Sequence, residues 1–387
     1  MLALQYQTKL VGYCFPNFRD TPMHDSLPEL RATVQRNCHI ADANHARGYT
    51  LCTYLLKMRE YYRWEKGLSF TDNLPRADLG EWLEQREQLW QELESAPFAS
   101  LPLHGQEHDP FDTERINRTL LPQGLVYSGG YGSHAAPHFF LGTLLRREER
   151  AGYTILISDH EFARDLSAPP AMMLGNTIFI RRESVRRMLW EKVEEWQWRK
   201  QENAMARTVA CYDFDRDPLG ALEQMTNHEL EAVILHEMGE CMAEDLLGPE
   251  WNEMLVALSA SRAELMARAV RDHLADGLST LPRLLEAVDS ASLHFYFANF
   301  KGMRRELFPE LLDAYHDWLG SGRLDALKQA AREGETRWLA AAQNALALYR
   351  THGEACHGMV EAAFQGGAAP QAPEQPCFCS APGVARS

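Results

Sequence analysis

The chain has 387 residues and a formal net charge of −15, with 45% hydrophobic and 24% charged residues. That length allows two or three domains with a large core. The acidic balance argues against general nucleic-acid or anionic-membrane binding, both of which need a positive surface. No apolar run is long enough for a transmembrane helix. Met1 to Tyr13 carries Gln5, Gln7 and Lys9 where a signal peptide would be apolar, so a cytoplasmic location is expected. Eight cysteines are too sparse for a disulfide scaffold and are expected to be thiols or ligands.

Residues 26–94 read as helical, with breaks at Gly67-Leu68-Ser69 and Asn73-Leu74-Pro75. Within this arm Cys38, Asp42, His45, Tyr49 and Cys52 recur at alternating spacings of four and three, a continuous stripe on a helix, with Glu60 beyond it. Asp42 and His45 are spaced like the Glu-x-x-His pairs of dimetal helical bundles; a packing seam is the alternative. Tyr54, Tyr61, Tyr62 and Trp64 supply an aromatic shell. Residues 97–122 read as a loop. Leu125 to Tyr127 is expected as a strand, Phe139 to Arg150 as a helix, and Tyr153 to Ile157 and Asn176 to Ile180 as strands.

The glycine-rich stretch from Gly129 to Ala135 then falls in a βαβ frame with Asp159 after it. This resembles the dinucleotide-binding fingerprint. Against that, Pro137 sits where the helix should run and too few strands follow. The alternative is a loop from which His134 and His138 reach a nearby site. From Ser184 the pattern is helical almost to Phe364, with breaks expected at Asp213 to Pro218, Gly248-Pro249, Gly277 to Pro282 and Gly320 to Gly322. Arg181, Arg182, Arg186 and Arg187, interleaved with or followed by Glu183, Glu191, Glu194 and Glu195, read as a salt-bridged surface helix. The fold class expected is mainly α with a small α/β insert: a helical region over 1–120, an α/β segment over 121–183, a helical body over 184–364 and a disordered tail over 365–387.

The helix carrying His236-Glu237-Met238-Gly239-Glu240 is the strongest chemical signal. Thr226 and Glu229 are spaced as a capping box, which would start the helix at about Asn227, and Gly248-Pro249 would end it at Leu247. Leu230, Val233, Ile234, Met238, Cys241 and Met242 fall on one side. His236 and Glu240 fall on the other among Ala232, Gly239 and Ala243, small residues that would leave room for an ion. The pattern resembles the H-E-x-x-H helix of zinc metallopeptidases. That resemblance implies His236 as a zinc ligand and Glu237 as general base, and a third ligand is the other role open to Glu237. Glu240 stands where that family has its second histidine, and a carboxylate also suits iron or manganese. An edge strand would precede such a helix, and the Asn176 to Ile180 strand is the one available. An exposed face with ordinary His and Glu on it is the alternative.

Asp272, His273 and Asp276 lie on a helix that follows soon after, where antiparallel contact is easy, and could complete a metal shell; His294 and His228 are weaker candidates. Cys377 and Cys379, behind His352, Cys356 and His357, suit a soft ion or a redox couple. The N-C-x-I-A-D-A (Asn37 to Ala43), Y-R-W-E-K-G-L (Tyr62 to Leu68) and G-N-T-I-F-I-R-R (Gly175 to Arg182) segments, with the L-H-E-M-G-E helix, resemble an uncharacterised bacterial family, which implies no chemistry.

The reading that follows is a metal-dependent enzyme acting on a small-molecule or peptide substrate. With zinc it would be a hydrolase using metal-activated water; with iron, and Asp42 and His45 joining, an oxidative enzyme. The alternatives are a helical accessory protein that docks a protein partner and carries metal on its cysteine tail, and a nucleotide-binding module using the Gly129 to Gly132 loop. Neither nucleic acid nor membrane is an expected partner.

Overall fold

The computed structural model describes residues 9–10, 26–132 and 135–365, and these form a mainly helical protein with a mixed sheet in the middle of the chain. The elements in order are β1 (Lys9–Leu10), α1 (Leu27–His45), α2 (Leu51–Glu65), α3 (Arg76–Leu93), β2 (Leu101–Leu103), β3 (Gln106–His108), α4 (Thr113–Leu120), β4 (Leu125–Tyr131), β5 (Pro137–Arg150), β6 (Tyr153–Arg164), β7 (Ala171–Leu174) and β8 (Thr177–Arg181). Then come α5 (Arg182–Arg199), α6 (Ala204–Ala210), α7 (Pro218–Leu247), α8 (Glu250–Ala257), α9 (Arg262–Ala275), α10 (Leu281–Ala287), α11 (Ser290–Asn299), α12 (Gly302–Leu307), α13 (Pro309–Ser321), α14 (Asp325–His352) and α15 (His357–Gln365). No helix among the described residues is long and apolar enough to cross a membrane.

The chain forms two units, Met1–Met238 with Ala287–Asn299, and Gly239–Glu286 with Phe300–Ser387. In the first, the sheet runs β1-β5-β6-β8-β7, with β4 also paired to β5. The β4–β5 and β5–β6 pairs are antiparallel, and β6–β8 is parallel. Alternate residues of a strand face opposite sides. Accordingly Tyr127, Phe139 and Leu141 pack with Leu30, Val34, Cys38 and Ala41 of α1, while Val126, Phe140, Leu144, Leu156 and Phe179 form a separate cluster. Met58, Tyr61, Tyr62, Trp82 and Trp90 make a third core from α2 and α3. In the second unit Trp338 of α14 is buried against Phe308 and His273.

Several expectations change. The segment 139–150 is a strand, not a helix. Its middle is buried, so no polar alternation marks it, and its charges pair at the two-residue spacing of one strand face. Arg146 and Arg150 meet Glu148, and Arg147 meets Glu149 at 2.9 Å. The βαβ frame around the glycines is therefore a β-hairpin. The Asn176 to Ile180 strand lies inside the sheet between β6 and β7, not at an edge. Residues 97–122 contain the β2–β3 hairpin and α4. The stripe from Cys38 to Cys52 is interrupted, because α1 ends at His45 and α2 starts at Leu51. Arg181 and Arg187 are buried, Arg181 in a two-bond pair with Glu161 at 2.8 and 2.7 Å, so the start of α5 is not a surface face. Gly277 to Pro282 does not break the chain direction; a π-helical turn over Asp276–Thr280 joins α9 to α10. The tail with Cys377 and Cys379, and His134, lie outside the described residues.

The capping box is also absent. Helix α7 starts eight residues before Thr226, at Pro218, and the Thr226 hydroxyl donates to the Leu222 carbonyl at 2.7 Å inside the helix. Glu229 is buried and accepts a hydrogen bond from Ser292 Oγ at 2.9 Å. Burial raises its pKa from 4.5 to about 8, with Asp289 adding to the rise and Ser292 opposing it. A carboxyl whose folded pKa lies above its usual value stabilises the fold at low pH. That contribution is intact below about 4.5 and is lost as pH rises through about 8. Glu229→Gln keeps an oxygen for Ser292 and is expected to flatten this fall. Urea denaturation should show the variant more stable than wild type at pH 9, by on the order of 3 kcal/mol; identical pH profiles would contradict the burial of an ionisable group here.

Candidate functional site

Where α1 ends and the β4–β5 hairpin begins, the first unit holds a cleft of about 690 Å³. Small-molecule sites commonly measure 300–1,000 Å³, so this one is in range. Its walls come from Asp42, His45 and Tyr49, from Gly130 to Gly132 and His138, and from Met172 to Leu174 of β7. Met172, Met173 and Leu174 supply apolar lining, and Asp42, His45, Tyr49 and His138 supply titratable groups.

His138 stands opposite Gly130 in the hairpin register. Its Nδ1 lies 3.2 Å from Asp165 Oδ2. Asp165, just after β6, also accepts from the backbone N–H of Phe139 at 3.3 Å and of Ala168 at 2.5 Å. Burial alone would raise the Asp165 pKa, but His138, the Arg181 charge and the Ala168 N–H outweigh it and hold the carboxyl at about 2. Asp165 is therefore ionised and only accepts, so the proton of a neutral His138 ring sits on Nδ1. The other nitrogen, Nε2, has no protein partner among the described residues. It leans toward Gly132, where a Cβ would lie 2.7 Å from it. The Gly132 position thus makes room for an imidazole rather than a pyrophosphate. At Gly129 a Cβ would collide with the Pro110 carbonyl.

Asp42 is shifted the other way. Both its oxygens accept from the Leu166 N–H, at 2.9 and 3.1 Å. Burial and then the charge of Asp165 nonetheless raise its pKa well above the usual carboxylate value. One cleft therefore carries an oriented imidazole and a carboxyl that favours its protonated form. Two titratable groups pushed apart by their surroundings are the arrangement that assigns base and acid.

Of the residues singled out from sequence, Asp42 and His45 line this cleft, Asp42 buried and His45 exposed. They keep their i, i+3 spacing on α1. His236 and Glu237 belong to the first unit and Glu240 to the second, all three partly buried. Within the second unit Arg271 reaches both Glu240 at 3.6 Å and Asp272 at 3.8 Å, so a cation already stands between these carboxylates. His273 is buried, stacked on Trp338 at 4.8 Å, and donates from Nε2 to the Arg304 carbonyl at 2.9 Å. Burial, then the Arg304 charge, lowers its pKa to about 4. Asp276 is paired with Arg304. Among the described residues no group of three or more His, Cys, Asp or Glu side chains is arranged to hold a metal ion. Sequence reasoning missed Asp165, which lies in Arg164-Asp165-Leu166 at a strand end and carries no periodic or motif signal.

A sheet-based unit with a titratable cleft and a helical unit thus share this chain, and the chain belongs to a family of unknown function. Residues 29–181 match the N-terminal domain of the family of unknown function DUF6866, and residues 186–367 match its C-terminal domain. Neither a curated protein nor a solved structure matches it. Nothing in these comparisons supports the likeness to zinc metallopeptidases.

The small residues of α7 have a packing role. Gly239 and Ala243 are buried, and a Cβ on Gly239 would run into the Ala275 carbonyl of α9. Exchanging a helical glycine for alanine ordinarily gains about 1 kcal/mol, whereas overpacking a tight contact costs about 1–3 kcal/mol. Gly239→Ala is expected to be net destabilising in urea denaturation. A stabilised variant would mean that the α7–α9 approach is looser and that space beside His236 and Glu240 is available after all.

Proposed function

We propose that the cleft of the first unit is the active site of an enzyme doing general acid–base chemistry on a small molecule. His138 Nε2 is the base, Asp165 orients it, and the protonated Asp42 carboxyl is the acid. The observation that carries this reading is the His138–Asp165 bond with Nε2 left facing a cleft that also contains Asp42. A base held in one tautomer by a carboxylate takes a proton without first reorganising. The apolar lining from Met172, Met173 and Leu174 suits a substrate with a hydrophobic part. Hydrolysis of an ester or lactone fits these parts, with His138 activating water and Asp42 protonating the leaving oxygen. The metal-dependent reading of the α7 motif has less support, since among the described residues no group of three or more His, Cys, Asp or Glu side chains is arranged to hold an ion.

The test is a hydrolysis screen of p-nitrophenyl acetate, p-nitrophenyl butyrate and short-chain lactones. Wild type is expected to turn over at least one of them. His138→Gln and Asp165→Asn should lower that rate by about 10²–10⁴, with the fold checked by circular dichroism. Background rates throughout, or turnover unaffected by His138→Gln, would overturn the proposal.

A further inference from the structure

The first unit has another concavity, of about 280 Å³, whose lining is unusually cationic for so acidic a chain. Arg63, Arg164, Arg186 and Arg187 face only Glu60 and Glu183 across it, with Trp64 and Phe70 as aromatic walls. Two of the arginines are committed. Arg63 donates to the Ser69 and Asp72 carbonyls. Arg187 donates to the Ala168 carbonyl at 2.8 Å and to Ser184 Oγ at 3.2 Å. The two glutamates are committed as well. Glu60 meets Arg59 at 2.7 Å and Arg63 at 3.4 Å, and Glu183 accepts from the Glu161 N–H at 2.7 Å.

The other two arginines are not. Arg186 lies over Phe70, and its Nε comes no nearer than 3.8 Å to Glu223. Arg164 is the telling case. It is 1% exposed, and its guanidinium forms no ion pair among the described residues. It lies over the rings of Tyr61 and Trp64 at 5.2 and 5.3 Å, and its Nε is buried without a hydrogen-bond partner. A guanidinium cannot shed its charge on burial as a lysine or histidine does, and ring faces only partly replace a lost anion. A buried cation is ordinarily paired, whereas no carboxylate comes within ion-pair distance of Arg164 among the described residues and the charge of Glu191 acts on it only from farther off.

We propose that this pocket binds the dianionic phosphoryl group of a small phosphate ester, held by Arg164 and Arg186. Glu223 at 3.8 Å from Arg186 and Glu191 at 3.9 Å from Arg187 offset part of the charge, but Arg164 has no ion-pair partner among the described residues, and an anion in the pocket would supply one. The forked donors of arginine fit phosphate oxygens in pairs. Trp64 and Phe70 supply a flat apolar surface for the group that carries the phosphate. The site is independent of the His138 cleft and stands whether or not that cleft is catalytic.

The test is thermal unfolding of the full chain with inorganic phosphate, phenyl phosphate or sodium chloride at equal ionic strength, with affinities from calorimetry. Phenyl phosphate is expected to raise Tm by several degrees at millimolar concentration and to bind at least ten-fold tighter than inorganic phosphate. Arg164→Gln should abolish the shift. Arg186→Gln, at a partly exposed side chain that should not compromise folding, should weaken binding at least ten-fold. Binding of inorganic phosphate alone, lost in both variants, would support the anion site with free phosphate as its occupant. Shifts no larger than those with chloride, or shifts kept in Arg186→Gln, would overturn the proposal.

Discussion

The ionised, buried carboxylate of Asp165 is the constraint around which the first unit is arranged. An anion taken out of water costs several kcal/mol unless donors and opposite charge replace the lost hydration. Asp165 obtains these from the Ala168 and Phe139 N–H groups, from His138 and from the field of Arg181. Arg181 is itself fully buried and stays charged because Glu161 meets it with both oxygens, with Ser184 donating to the same carboxylate. The segment after β6 is thereby fixed to β5. It is fixed to α1 as well, because the next residue, Leu166, donates to Asp42. Asp165 also sets the His138 tautomer, and its charge adds to burial in opposing ionisation of Asp42 against the Leu166 N–H, which favours it, so the charge pattern of the cleft and the docking of α1 near the sheet both turn on this one carboxylate.

How much of this was legible in the sequence varied with the kind of signal. Helices whose ends are marked by backbone chemistry were readable: α7 does end at Gly248-Pro249, where Gly248 takes a positive φ of 72°. Its start was misplaced because Thr226 and Glu229 have capping-box spacing yet serve a back-bond and a buried contact. Strand β5 was misread because a strand covered on both faces loses alternation, and because Arg146 to Arg150 looks like a solvated helix end. Of the site, Asp42 and His45 were visible as a spaced pair, and His138 as a histidine beside glycines. Asp165 was not visible, since its importance rests on contacts from segments far apart in the chain.

The two arginine-rich features show the same limit. From spacing alone, Arg181 to Arg187 read as a solvated face. Folding the sheet against α5 buries Arg181 and Arg187, pairs the first with Glu161, and leaves Arg164 of the neighbouring strand over two aromatic rings. Charge composition gave the sign of the whole molecule, which is acidic, and concealed a local concentration of the opposite sign. The H-E-x-x-E signal is of another kind. Its five residues are real helical neighbours, but Arg271, not a further donor, stands beside Glu240.

The claim that Asp165 fixes the proton of His138 on Nδ1 is tested most directly by long-range ¹H–¹⁵N correlation of the imidazole nitrogens at pH 8, with His138 assigned from the spectrum of His138→Gln. The account predicts a protonated Nδ1 and a bare Nε2 for this ring. A proton on Nε2 alone would contradict it, because the nitrogen facing the cleft could then no longer accept one.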